Sequence, residues 1–391
     1  MSERRRMPPA VVASVGSVNG LAAVRSLGRN GIDVTAVGST ERDIGLRSRY
    51  ARPLLAPSPR TDPAGFLEAL RQLGERLPEP APLFATADAA LQAISRGRVD
   101  LADRFLLGLP ERETLERAQD KAVQLAVAAE AGVPTPRTAR EPTAALGFPV
   151  LVKPSLPVDF RRRFRTQAFL CRDEVELAEA FERALPYEPL VQEWIGGGDD
   201  QFYQYGAYLD EAGNPLAAFG CRKLRQTRAG VGTCRTGEAF WSDELAELSL
   251  ALVRQLGLHG FVEVEFKRDP RDRQLKLIEV NTRLWQWHGL ASACGVDFPV
   301  IAYEHLTTGF APPASVYRGS RRWSITLLPG SGAGEGEHPL RPAVAGFRYV
   351  DAVFAADDPR PTLHQLHEAG RAVRLRLQRA RGHARRAAAG A

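Results

Sequence analysis

Phe261-Val262-Glu263-Val264-Glu265-Phe266-Lys267 and Leu275-Lys276-Leu277-Ile278-Glu279-Val280-Asn281, joined through Asp269-Pro270-Arg271-Asp272, decide how this sequence reads. Side chains alternate along a strand, so Glu263, Glu265 and Lys267 share one face while Val262, Val264 and Phe266 take the other. The same rule puts Glu279 beside Asn281. Asp and Pro between the runs favour a turn, so the pair predicts a β-hairpin from Gly260 to Asn281. Side by side, its strands bring Glu265, Glu279 and Asn281 together. Two carboxylates and an amide oxygen are hard donors of the kind magnesium takes, with water or phosphate oxygens completing its shell. Taken alone, the hairpin also reads as an exposed sheet face whose charges pair with Lys267, Lys276 and Arg283. The surrounding sequence favours the first reading.

Upstream, Ala10 to Val15 reads as a strand, Gly16-Ser17-Val18-Asn19-Gly20 as a turn, Leu21 to Arg29 as a helix and Val34 to Val37 as a second strand. The turn has the spacing GxxxG rather than GxGxxG, which counts against a nicotinamide cofactor. Leu83 to Ala85, followed by Thr86-Ala87-Asp88, continues the α/β pattern to about Pro110. One helix is expected from Glu113 to Ala131, then an apolar strand over Phe148 to Lys153, a helix over Asp173 to Ala184 and a strand over Leu190 to Ile195. Strands at Phe202 to Leu209 and Leu216 to Cys221 and a helix from Asp243 to Leu256 precede the hairpin. Gly330 to Gly336 reads as a flexible loop, and the last residues as a basic helix or tail.

The chain has 391 residues, 44% of them hydrophobic and 25% charged, which suits a multidomain globular protein. Arg4-Arg5-Arg6 before an apolar run superficially resembles a signal peptide, but the run is short and leads into Gly16, so a buried strand is expected instead. No membrane-spanning stretch is visible. Cys171, Cys221, Cys234 and Cys294 are scattered without metal-ligand spacing, which points to a reducing cytoplasm and no structural zinc. The net charge of +6 comes largely from Arg161 to Arg165 and the tail between Arg371 and Arg386, with no base-reading motif beside it. Nucleic acid is therefore not the expected partner. Basic residues facing anionic nucleotide and carboxylate ligands account for part of the charge. The only lysines are Lys121, Lys153, Lys223, Lys267 and Lys276, so a retained lysine marks places where a compact ammonium is wanted.

With these motifs in order, residues 10 to 310 resemble the ATP-grasp superfamily, in particular its carboxylate–amine ligase branch related to biotin carboxylase and D-aspartate ligase. Val264-Glu265-Phe266-Lys267-Arg268-Asp269 through Glu279-Val280-Asn281-Thr282-Arg283 carries the most specific part of the likeness. The resemblance implies an α/β and α+β multidomain chain: a Rossmann-like pre-ATP-grasp domain over residues 1–112, ATP-grasp subdomains over 113–189 and 190–312, and an extension over 313–391. It implies ATP with magnesium, or manganese, held at Glu265, Glu279 and Asn281. Lys121 and Lys153 match the lysines on nucleotide phosphates. Gln192, Glu193, Trp194 and Ile195 match the hinge whose backbone reads the adenine edge. Asp199, with Asp200 an alternative, matches the acidic residue on the ribose. Arg283 matches the arginine over the reacting phosphate or substrate carboxylate, and Lys223 and Arg225 lie where relatives place basic residues toward phosphate and substrate.

The sequence departs from the family where a glycine-rich cover would follow Lys153: Pro154-Ser155-Leu156-Pro157 leads instead into Arg161-Arg162-Arg163-Phe164-Arg165. After Arg283 it reads Leu284-Trp285-Gln286-Trp287-His288, where biotin carboxylases carry a different acidic pattern, and this weakens carboxylation as the activity. The expectation is a cytoplasmic ligase that activates a small carboxylate as an acyl phosphate and joins it to an amine. A homodimer is the default assembly. A non-catalytic ATP-binding regulator and a carboxylase are the alternatives.

Overall fold

A computed structural model describes residues 7–155, 160, 163–227, 232–310, 316–326, 349–371 and 374. Leu156-Pro157, Arg161-Arg162, Gly230-Val231, the loop expected at Gly330 to Gly336 and the basic tail beyond 374 lie outside the described residues.

The first sheet is parallel, in the order β3-β2-β1-β4-β5: β1 (Ala10–Ala13), β2 (Val34–Gly38), β3 (Ala51–Leu55), β4 (Ala81–Ala85) and β5 (Phe105–Leu106). β1 is apolar along its whole length and fully buried, as a parallel strand covered on both faces must be. The order reverses direction between β1 and β4, which opens a crevice beyond their carboxyl ends.

The second sheet, β6-β9-β7-β8, is antiparallel and comprises β6 (Thr138–Ala139), β7 (Val150–Pro154), β8 (Phe169–Cys171) and β9 (Pro189–Glu193). Leading into it, the single helix expected over 113–131 is two helices, Arg112–Gln119 and Lys121–Glu130. Asp120 breaks the run because it leaves helical backbone geometry and caps the second helix, its carboxylate accepting from the Ala122 amide at 2.8 Å and the Ser155 hydroxyl at 2.6 Å. Lys121 thereby becomes the first residue of a helix.

The third sheet has seven strands in the order β14-β13-β10-β11-β12-β15-β16. They are β10 (Phe202–Leu209), β11 (Pro215–Gln226), β12 (Cys234–Ala239), β13 (Gly260–Arg268), β14 (Leu275–Asn281), β15 (Arg322–Ser324) and β16 (Tyr349–Asp351). β11 runs five residues beyond its expected end at Cys221, so Arg222 to Gln226 belong to the strand. The expected hairpin is present as β13 and β14. Val262, Val264 and Phe266 are fully buried in one core with Leu275, Leu277 and Val280. Each such side chain contributes on the order of 1.5–3 kcal/mol to folding. Strict alternation would put Leu277 with Glu279. The pairing shifts there, Glu265 opposite Glu279 but Phe266 opposite Leu277, so Ile278 is an inserted bulge residue. The bulge lets Leu277 and Val280 both enter the core while Glu279 and Asn281 take the other face.

Candidate active site

Glu263, Glu265 and Lys267 leave β13 on the side away from its apolar residues, and strand register sets Glu263 opposite Asn281 and Glu265 opposite Glu279. β10 supplies Gln204 next to Glu265. Gln204 Nε2 donates to Glu263 at 3.0 Å and to Glu265 at 2.9 Å. Lys223, on β11, is buried and lies 2.7 Å from Glu265 Oε2. From the helix start created by Asp120, Lys121 Nζ reaches Glu279 Oε2 at 2.9 Å. The sequence thus brings five expected residues, Lys121, Lys223, Glu265, Glu279 and Asn281, onto one patch of sheet.

Glu263 is a fourth acidic or amide group in this patch to which the sequence reading gave no role. It is buried and accepts from Trp287 Nε1 at 2.7 Å and from Asn281 Nδ2 at 3.1 Å. Burial, followed by the neighbouring Glu265, pushes its carboxyl up to about 7. Its position two residues before Glu265, on the same face, is the signal that was available. Asn281 Nδ2 also donates to Glu279 Oε1 at 3.3 Å, which leaves the amide oxygen as the atom Asn281 offers a ligand. Two carboxylates facing across adjacent strands with an amide oxygen beside them fit a hard divalent cation. Among the described residues no three His, Cys, Asp or Glu side chains form a ready metal cage, and Lys121 and Lys223 are the cations that Glu279 and Glu265 hold.

Lys153, Gln192, Trp194, Ile195, Glu265 and Lys267 line one cleft between the second and third sheets. Lys153 Nζ donates to Gln192 Oε1 at 2.7 Å, and burial, followed by Lys121, brings its ammonium down to about 8. Glu193 also lines the cleft, and its carboxylate accepts from Arg137 at 2.9 Å and lies 3.1 Å from Arg271 and 3.4 Å from Lys276, tying β9 to the hairpin turn. The backbone N–H groups of Glu193 and Trp194 are bonded to Arg137 O at 2.9 Å and Pro149 O at 3.2 Å. Asp199 accepts from the backbone and side-chain nitrogens of Gln226, both at 2.8 Å.

Arg283 sits where the third sheet meets the crevice of the first. Its Nε donates to Asp88 Oδ1 at 2.6 Å, and Asp88 opens the helix Asp88–Arg96 after β4. Burial works against the Arg283 charge, but Asp88, with Glu263 and Glu279, raises its pKa on balance. Beside this pair, Asn19 Nδ2 donates to Thr86 O at 2.7 Å and Leu284 O at 3.1 Å, and His288 Nε2 lies 2.9 Å from Asn19 O. In the sequence Asp88 has no role beyond continuing the α/β pattern; its position after a strand at the order reversal is the clue to more. Pairing shifts on both sides of Arg225, which is half-buried; burial, followed by the charge of Arg225, lowers the pKa of Arg235.

The family model for the ATP-binding domain of the carbamoyl-phosphate synthase L chain matches residues 238–307, the stretch that holds the hairpin, Arg283 and the helix after it. The biotin carboxylase domain dimer of 2-oxoglutarate carboxylase from Hydrogenobacter thermophilus, solved with MgADP, ADP and bicarbonate, superposes with a TM-score of 0.61. That match covers 81% of this chain and 74% of the other at 19% identity.

The fold is that of ATP-grasp proteins.

The ATP-grasp fold is shared with L-amino acid ligase from Bacillus licheniformis, at a TM-score of 0.58 and 17% identity over 77% of this chain and 75% of that one. In sequence, D-aspartate ligase from Enterococcus faecium (strain Aus0004) is 26% identical over 251 residues, which cover 57% of this chain. The match spans 58% of that ATP-grasp relative's own length. Among the described residues no helix is long and apolar enough to cross a membrane.

Proposed function

We propose that this chain is an ATP-dependent carboxylate–amine ligase that forms an amide through an acyl phosphate and releases ADP and phosphate. The observation that carries this reading is the register of Glu265 against Glu279 with Asn281 beside them, ringed by Lys121, Lys223 and Arg283. Glu265, Glu279 and Asn281 would hold magnesium, or manganese, and the bound ion would supply charge neutralisation at the phosphates. Lys121 and Lys153 are assigned to the nucleotide phosphates, the 192–195 strand end to the base and Asp199 to the ribose. Lys223 and Arg225 are assigned to the reacting end, with Arg283 over the transferring phosphoryl group or the substrate carboxylate.

The carboxylate oxygen attacks the γ-phosphorus and the bond to the β-phosphate oxygen breaks, so ADP leaves with the electron pair. The amine then attacks the acyl carbon, the carbon–oxygen bond to phosphate breaks, and the ammonium proton is lost. Charge builds on the phosphoryl oxygens during the first step, and preplaced cations lower its cost without having to reorganise. Arg283 brings such a cation to the crevice at the β1–β4 order reversal, where small ligands of open α/β sheets bind. Small-molecule carboxylate and amine substrates and a homodimer are part of this proposal, as is the division into units at 1–112, 113–189, 190–312 and 313–391. A biotin-carboxylase-like carboxylation is the second reading. Against it stand Trp285 and Trp287, fully buried after Arg283, with Trp287 spent on Glu263.

The test is magnesium-dependent ADP release with pooled amino acids and small carboxylates, using hydroxylamine to trap the acyl phosphate. Wild type is expected to form hydroxamate, and Glu279→Ala to lose at least a hundredfold of that rate, as removal of a group stabilising transition-state charge does. ADP release stimulated by bicarbonate alone would favour carboxylation. Nucleotide binding without turnover or trapping in any pool would point to a regulatory protein.

A further inference from the structure

Lys267 is an odd residue to find inside a cleft. Its side chain is among the most completely buried of the large ones, with only 2% of the residue exposed. It makes no ion pair within 4.0 Å among the described residues. Instead Nζ donates to two backbone carbonyls of the segment that follows β9, Ile195 O at 2.8 Å and Gly197 O at 3.2 Å. Below it lie two aromatic faces, Trp194 with its centroid at 4.8 Å and Phe202 at 4.7 Å. Rings and carbonyls together hold the ammonium in one place.

That place is the cleft also lined by Lys153, Gln192 and Ile278. A base docked against the strand end at 192–195 finds much of the backbone already committed. The N–H groups of Glu193 and Trp194 are bonded to Arg137 O and Pro149 O, and the Ile195 carbonyl accepts from Lys267. An ammonium has three N–H donors. Among the described residues, carbonyls take two of those on Lys267.

We propose that Lys267 is a specificity residue for the nucleobase: anchored on the Ile195 and Gly197 carbonyls, it presents its remaining N–H to an acceptor nitrogen of the purine ring. The inference rests on the ATP-dependent reading above and adds to it a side chain that reads the base where backbone alone was expected to. A donor fixed by two carbonyls and two aromatic faces discriminates well, because a base lacking the acceptor leaves the buried N–H unpaired. It also explains why a lysine is kept at a position whose strand neighbours on that face, Glu263 and Glu265, are anionic.

The experiment measures equilibrium binding of the magnesium complexes of ATP and of its 1-deaza, 3-deaza and 7-deaza analogues, each lacking one ring acceptor. At least one analogue is expected to bind wild type ten or more times more weakly than ATP. In Lys267→Met that penalty falls to within twofold, since analogue and variant remove the two halves of one hydrogen bond. A lysine that only braced the 195–197 segment would weaken every nucleotide alike and leave the analogue ratios unchanged, which would overturn the inference. So would a wild type that binds all three analogues within twofold of ATP, a result that needs no variant. If Lys267→Met does not fold, Lys267→Gln takes its place and is expected to keep part of the discrimination through its amide N–H. Failure of wild type to bind MgATP at all would overturn the nucleotide reading itself; ATP binding with indifference to the analogues would overturn only the role of Lys267.

Discussion

His288 shows how a single side chain records the meeting of two parts of the chain. It is fully buried, and its Nε2 lies 2.9 Å from the Asn19 carbonyl, so Nε2 carries the hydrogen while Nδ1 has no partner. Burial, opposed only by that one hydrogen bond, pulls its pKa from 6.5 down to about 4. The unfolded chain therefore takes up a proton that the folded chain refuses across that interval. Stability from this group is complete above about pH 6.5 and is lost as pH falls toward 4, in total on the order of 3 kcal/mol. The unfolding free energy of wild type from denaturant titration should fall between pH 7 and pH 5 by about 2 kcal/mol from this group. His288→Gln, which does not titrate, should remove that part of the slope. An unchanged slope in the variant would show that other groups govern the acid limb.

At the scale of the strand, β10 is held to its neighbours by what it lacks. A Cβ placed on Gly206 would stand 2.1 Å from Trp285 Cζ2, so the indole packs directly against strand backbone. Gly206→Ala would force Trp285 out of position, and overpacking of this kind costs about 1–3 kcal/mol. Thermal melting should register the loss, and tryptophan fluorescence should change with it. The same elements mark how far the sequence could be read. The hairpin was legible because β13 alternates apolar and charged residues along its length and β14 ends on the same alternation at Glu279-Val280-Asn281. The bulge at Ile278 was not, since nothing local distinguishes an inserted residue from a paired one. Asp120 was read as part of a helix because its neighbours are good helix formers; only the Ser155 hydroxyl, 35 residues on, shows why it caps instead. β12 and the short β15 and β16 escaped notice because Thr236-Gly237-Glu238 and Arg322-Trp323-Ser324 have no apolar alternation to betray them. The register shifts between Lys223 and Gln226 were likewise invisible, since no local pattern announces them.

Over the whole molecule, the segment at 349–371 does more than extend the third sheet. Asp358 is completely buried and accepts from Arg25 Nε at 2.9 Å, Ser48 Oγ at 2.7 Å and the Arg49 amide at 2.9 Å. Next to it, Asp357 holds Arg29 through two bonds of 2.8 Å and the Tyr50 hydroxyl at 2.8 Å. Asp358→Ala would leave Arg25 buried without its counter-charge, a loss of about 3–5 kcal/mol where nothing rearranges to compensate. Hydrogen exchange should then quicken in the helix Val18–Arg29 and along β16 together, while the amides of β13 stay protected. Faster exchange confined to either element alone would mean that the tie is local.

Arg25 and Asp358 stand 333 positions apart. During vectorial synthesis the first parallel strands and the helix between them emerge early, and Arg25 must wait, hydrated, until almost everything described here has been made. Its pairing cannot precede the synthesis of residue 358, so a nascent chain stalled before that point keeps the guanidinium without this partner.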